Sequence, residues 1–271
     1  MSPKRKPRGQ AGLDFETAFV TALNGRTIKD LSDHLRKTML TIFPSLGEND
    51  LILAQKADPR GKSDVSLFTN AGQAEISLKS ISGDLVHASP IPKFIEYLRD
   101  FDVSEASIKT LQFFLYRDGT DDGSCGVKWG YGETMFRLGP RLKDFNEEIF
   151  ANKNLVQDCL DLALFRGNTE GLKPANWLYH GSLDFGFLVS RYQVSFWARR
   201  IMDSMSFIQN PHIGPLHIRP YALTMNELAK NRDKLDWLRL KWVGMDHHMS
   251  MMNRRIPPRR NYYKNASEKK S

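Results

Sequence analysis

The chain has 271 residues, of which 41% are hydrophobic and 26% charged, a balance that excludes collagen, coiled coil and wholesale disorder. Its length allows one large domain or two modest ones. The net charge of +8 sits at the ends: residues 1–10 carry +4 through Lys4, Arg5, Lys6 and Arg8, and residues 253–271 carry +6, leaving −2 for everything between. Basic arms of this kind suit a polyanion, because each phosphate contact releases counterions. No apolar run approaches the roughly 18 residues of a membrane helix, so no membrane association is expected. Met1–Gln10 is basic but no apolar stretch follows it, so it does not read as a secretory leader. Cys125 and Cys159 stand in no CxxC or Cys/His spacing, which argues against a disulfide framework or zinc finger and for a reducing, cytoplasmic setting.

Residues 1–10 read as a flexible arm. Leu13, Phe15, Phe19, Val20 and Leu23 then form the apolar face of a helix closed by Asn24-Gly25, and Ile28, Leu31, Leu35, Met39 and Ile42 predict a second helix over about 27–42. Leu51–Ala54 is a short strand, and 58–63 is a loop. Asp64–Thr69 and Gln73–Ile81 alternate about the turn Asn70-Ala-Gly72 and predict a β-hairpin. Residues 83–92 read as loop, and Leu111–Tyr116 as the clearest strand of the next stretch. Leu138–Phe150 and Asn154–Phe165 have helical spacing, and 167–174 is a break. Trp177–His180 and Phe185–Phe196 read as strands, Ala198–Phe207 as a helix, Pro211–Tyr221 as a strand and Met225–Trp237 as an amphipathic helix. The expectation is an arm over 1–10, one α/β domain over 11–252 and a basic extension over 253–271.

The hairpin carries the chemistry. Strand alternation sends Val65, Leu67, Ala74, Ile76 and Leu78 to one face, and Asp64, Ser66, Glu75, Ser77 and Lys79 to the other. One face is core. The other offers carboxylates, hydroxyls and an ammonium, the groups a metal-dependent phosphodiesterase uses to hold magnesium and to balance charge on phosphate.

These residues resemble the PD-(D/E)xK nuclease superfamily, whose core sets an Asp at the start of one strand and a (D/E)xK pair on the next. Lys62-Ser63-Asp64 followed by Ile76-Ser77-Leu78-Lys79 is similar to the variant of several type II restriction endonucleases, in which a neutral polar residue replaces the middle acid. Gly12-Leu-Asp-Phe-Glu16 resembles the superfamily's accessory Glu on a preceding helix. The likeness spans residues 12–81, and it departs from the pattern in having Ser63 where Pro stands and Ser77 where the acid stands. It implies a restriction-endonuclease-like core, a central mixed β-sheet flanked by helices, and Mg²⁺-dependent hydrolysis of double-stranded DNA to a 5′-phosphate and a 3′-hydroxyl. It further implies Asp64 as principal metal ligand, Glu16 or Glu75 as accessory carboxylate, Lys79 as the group that orients water or stabilises the transition state, and Ser77 as an outer contact. The alternatives are a repair or phage nuclease of the same fold, and a non-catalytic DNA-binding protein. A palindromic target would suggest a symmetric homodimer, while some small nucleases act as monomers.

DNA contacts are expected from Lys62, from Arg191 and Arg199, and from Arg254, Arg255, Arg259 and Arg260 in the C-terminal extension. Asp246-His247-His248, amid several methionines, reads as a mobile basic tail because adjacent histidines share no face. For His180 a structural or DNA-facing role is expected. Gly126–Gly132 lacks the spacing of a phosphate-cradling loop.

Overall fold

The structure is a computed structural model that describes residues 10–81, 83–125, 128–169, 171–200, 210–221 and 234–256. In chain order the helices are α1 (Gln10–Leu23), α2 (Asp33–Ile42), α3 (Ile91–Arg99), α4 (Glu105–Tyr116), α5 (Tyr131–Ala151), α6 (Lys153–Asp161), α7 (Arg191–Arg200) and a helix Met245–Arg255. The strands are β1 (Arg26–Thr27), β2 (Leu51–Lys56), β3 (Val65–Thr69), β4 (Gly72–Ser80), β5 (Leu85–Pro90), β6 (Trp177–Gly181), β7 (Gly186–Ser190), β8 (His212–Ile213), β9 (Leu216–Pro220) and β10 (Trp237–Trp242). They group into two units. The first takes residues 1–83, 164–197 and 245–271, and the second takes 84–163 and 198–244.

The first unit is α/β, with a mixed six-stranded sheet in the order β1-β2-β3-β4-β6-β7. Every pair is antiparallel except β4–β6, which is parallel. The hairpin has the expected alternation: Val65 stands opposite Ile76 and Leu67 opposite Ala74. Val65, Leu67, Ala74, Ile76 and Leu78 all lie in one core with Phe19 and Leu23 of α1 and Leu35, Met39 and Ile42 of α2. Each of these side chains other than that of Ala74 contributes about 1.5–3 kcal/mol on burial. The helix period of α1 (Phe15, Phe19, Leu23) therefore meets the strand period of the hairpin, and this contact fixes where Glu16 sits. Gly25, at φ +73°, ends the helix and turns the chain back, so that its N–H donates to the Ile52 carbonyl.

The second unit contains α3, α4, α5 and α6 with a four-stranded antiparallel sheet in the order β5-β10-β9-β8. Ile213, Leu216, Ile218, Leu238, Leu240 and Trp242 are buried along one face of it.

Several expected elements take another form. Leu111–Tyr116 is the end of α4, because the helical spacing Ile108, Leu111, Leu115 reaches back to Ser104, whose Oγ accepts the Ser107 N–H as an N-cap. Residues 83–92 contain β5, which pairs with β10 far along the chain, and nothing local announces it. The helix expected over 27–42 is a 3₁₀ turn (Ile28–Asp30) and then α2, restarted at Ser32, whose Oγ accepts from Leu35 N–H. The strand expected to run to Phe196 stops at Ser190. There Gln193 Oε1 accepts the Ser190 N–H and α7 begins. Residues 245–255 form a helix rather than a mobile tail, since Met245, Met249 and Met252 recur at helical spacing and are buried. The helix expected over 225–237 falls largely outside the described residues, with Trp237 opening β10. Residues 201–207 of another expected helix fall outside them too.

Candidate active site

Asp64 stands one residue before β3. Its main chain is fixed on both sides: its N–H donates to the Ile76 carbonyl (2.8 Å), and its carbonyl accepts from Ala57 N–H (3.1 Å). Its side chain then continues the ladder, as Oδ2 accepts the Leu78 N–H at 2.6 Å and the Ser77 hydroxyl at 3.4 Å. Lys79 Nζ lies 3.9 Å from the same oxygen, and both side chains are part-buried. A carboxylate held by a backbone N–H and an ammonium is charge-assisted and oriented. Among the described residues nothing hydrogen-bonds Oδ1.

Glu16 feels this site from α1. Burial raises its pKa above the usual 4.5 and the Asp64 charge raises it further, while Lys56 and Lys79 pull it back down. The two carboxylates therefore share one field. Lys62 joins them from the loop before Asp64. Burial drives its pKa down, the neighbouring Lys79 ammonium adds to the effect and Asp64 partly offsets it, so the value falls to about 7. The loop is held by its neighbour: Thr169 Oγ1 donates to the Arg60 carbonyl (2.9 Å), and a Cβ on Gly167 would meet the Lys62 side chain at 3.4 Å.

Glu75 occupies the expected face, opposite Ser66, but its oxygens are engaged within the hairpin. Oε2 accepts from Ser63 Oγ (2.9 Å) and Ser66 Oγ (2.6 Å), and Oε1 accepts from Gln73 Nε2 (2.7 Å). The residue is only 7% exposed. Ser63, which stands where the superfamily has Pro, thus acts as a donor that holds a buried carboxylate in place.

Sequence reasoning missed one pair here. His180 on β6 stands in register with Lys79 on β4, and its Nε2 lies 2.6 Å from Asp246 Oδ1 on the helix Met245–Arg255. His180 is 3% exposed, and its Nδ1 is buried without a hydrogen-bond partner among the described residues. The signal was the spacing Met245, Met249, Met252, which places Asp246 on an ordered helix. On the opposite face Tyr179 donates its hydroxyl proton to the Ser182 carbonyl, so His34 Nε2 at 2.8 Å is the donor to Tyr179.

Of the expected DNA contacts, Arg254 and Arg255 are exposed at the end of the helix Met245–Arg255, and Arg191 begins α7. Arg199, in the second unit, donates to Gln157. Arg259 and Arg260 lie outside the described residues.

Among the described residues no three His, Cys, Asp or Glu side chains converge on a point. Magnesium does not require three. It takes one or two carboxylates and fills its octahedron with water and phosphate oxygens. Asp64, with Oδ1 unbonded among the described residues, and Glu16, whose pKa is raised by burial and then by the Asp64 charge, fit this demand, because a cation held by both would relieve the repulsion. No helix among the described residues is long and apolar enough to cross a membrane. Scans of the chain against protein-family models and against curated proteins found no match.

Proposed function

We propose that the chain is a Mg²⁺-dependent DNA endonuclease of the PD-(D/E)xK kind, with a restriction-endonuclease-like core in its first unit, and most like a sequence-specific type II restriction enzyme. The observation that carries this reading is the junction at Asp64. One carboxylate oxygen is fixed by Leu78 N–H with Lys79 beside it, the other has no hydrogen-bond partner among the described residues, and the Asp64 charge acts on Glu16 of α1. Asp64 and Glu16 would hold the ion, and bound Mg²⁺ supplies Lewis acidity that activates water and neutralises charge on the phosphate.

The chain's own residues do the rest. Ser77 and Leu78 N–H orient the Asp64 carboxylate. Asp64 keeps the Lys79 ammonium at the site, where it stabilises the negative charge that builds on the phosphoryl oxygens during attack. Lys62, in the loop before Asp64, feels the charges of Lys79 and Asp64. Glu75 holds the hairpin through Ser63 and Ser66 and so keeps Asp64 in register. Hydrolysis adds water across the P–O3′ bond and leaves a 5′-phosphate and a 3′-hydroxyl.

A digest of plasmid DNA with Mg²⁺, run beside an EDTA control and mapped to base resolution, tests the proposal. Cutting at one sequence identifies restriction, while non-specific or lesion-dependent cutting identifies a repair or phage enzyme. Binding without cutting overturns the nuclease reading in favour of a DNA-binding protein.

A further inference from the structure

The sheet of the second unit has two faces of opposite character. One is the buried apolar face of Ile218, Leu238 and Leu240. Alternation sends His217 and Arg219 of β9, and Arg239 and Lys241 of β10, to the other. The register sets Arg219 directly opposite Arg239 and His217 opposite both Lys241 and His212. Like charges facing each other across a strand pair are destabilising, and sheets ordinarily avoid them. Lys241 has a carboxylate, Asp84, at 2.7 Å, but among the described residues no carboxylate pairs with either arginine. The Nε atoms of both arginines and Nδ1 of His217 are buried with no hydrogen-bond partner among the described residues, and His217 is only 7% exposed. Tyr221 fixes the edge of the cluster. Its ring lies 5.2 Å from the Arg239 guanidinium and 4.8 Å from Lys234 Nζ, which also donates to its hydroxyl.

Two opposed guanidinia and a buried imidazole lack the same thing, a compact anion rich in acceptors. A carboxylate has two oxygens to offer. A phosphate offers three or four, and the guanidinium fork matches its geometry. We propose that this face of the second unit, through Arg219, Arg239 and His217, is a binding site for a phosphate oxyanion. The site does not depend on hydrolysis, and nothing in it belongs to the Asp64 cluster. Burial first, then His212 and Arg219, push His217 down to about 4.

The test uses the full chain in EDTA, so that cleavage plays no part. Melting temperature is measured against inorganic phosphate and against a short DNA duplex, with ionic strength held constant by chloride. Protection of the wild type by either ligand, at least tenfold weaker in both Arg219→Gln and Arg239→Gln, supports the site. In chloride alone each variant should melt at or above the wild type, because the like-charge pair is gone, and this also shows that the variants fold. If inorganic phosphate and the duplex protect equally, the ligand is a small phosphate compound. If only the duplex protects, and the variants lose that protection, the ligand is a nucleic-acid backbone. Two results overturn the proposal: wild type and variants responding alike to both ligands, or variants that melt well below the wild type in chloride.

Discussion

Replacing Glu75 separates a structural carboxylate from a metal ligand. In the wild type its two oxygens receive hydrogens from Ser63, Ser66 and Gln73 inside the hairpin. Hydrogen bonds to a charged acceptor contribute about 1.5–3 kcal/mol each. Glu75→Ala does not lose all three in full. Ser63 has the Val65 carbonyl at 3.2 Å and the Ile76 carbonyl at 3.5 Å as alternatives, and the exposed Gln73 can turn to water. Ser66, 6% exposed, is left with a stranded hydroxyl, and removing a buried carboxylate returns some desolvation energy. The expected net loss is about 2–3 kcal/mol for Glu75→Ala and about 1–2 kcal/mol for Glu75→Gln, which keeps one acceptor oxygen. Urea titration with an unchanged slope reads this as a lowered midpoint. Well below that midpoint, Glu75→Gln should cut DNA within tenfold of the wild-type rate. A Glu75→Gln protein of unaltered stability that has lost cleavage would refute the reasoning and restore Glu75 as a ligand. A Glu75→Ala change of under ~0.5 kcal/mol would show that the hydrogen bonds contribute nothing.

Asp64→Ala should abolish Mg²⁺-dependent cleavage while duplex binding in EDTA changes by less than about threefold, and cutting within tenfold of the wild type removes the proposed site. Lys79→Ala should lower the cleavage rate about 10²–10³-fold, as loss of one group that stabilises developing charge does, with binding again retained. Glu16 has a folded pKa above its unfolded value, so the native state holds its proton longer, and stability falls as pH rises from about 4.5 through that raised value. Glu16→Gln should therefore melt higher than the wild type at pH 7 and equally at pH 4, and Mg²⁺ should raise the melting temperature of the wild type but not of the variant. His217 and His248 are both held down to about 4 by burial, so their contribution is complete above pH 6.5 and is lost as pH falls toward 4. In phosphate-free buffer the combined loss across that window should be ~2–4 kcal/mol after solvent screening, and a flat urea midpoint from pH 6.5 to 4 contradicts it.

The parts of the molecule legible in sequence were those set by a local period. The hairpin faces followed from alternation alone, and α1, α5 and α6 from their apolar spacing. What was not legible depended on contacts far along the chain. The strand β5 reads as loop because its pairing partner β10 lies about 150 residues away. The run Leu111–Tyr116 reads as strand because its apolar density hides the three-and-four spacing that Ser104 begins. In the candidate site, Asp64, Ser77 and Lys79 are joined within one hairpin, so their meeting is a matter of register. Glu16 reaches them through the packing of α1 on the sheet, which the phase of Phe15 and Phe19 makes readable. The His180–Asp246 pair joins residues 66 positions apart through two elements, one of which alternation could not reveal because it is helical.

Charge shows the same division between local and non-local information. Summed along the chain, the body between the basic ends comes to −2, which gives no reason to look for a cationic surface there. The sum hides segregation by face. Arg219 and Arg239 are 20 residues apart in sequence, and each sits in a segment whose neighbours are apolar. Only the antiparallel register of β9 on β10 brings them opposite each other. A near-neutral body can thus still present a concentrated positive face, since the field a ligand meets depends on which side of a strand a charge occupies and what lies across from it. Several of the acidic residues that balance the ledger are paired with close neighbours in sequence, Asp118 with Lys128, Asp58 with Arg60 and Glu105 with Arg99, and on the face itself Asp84 pairs with Lys241 and with neither arginine. Counting charges could therefore locate the arms but not this site. Where carboxylates have already found partners, the arginines that lack them mark where an anion is wanted.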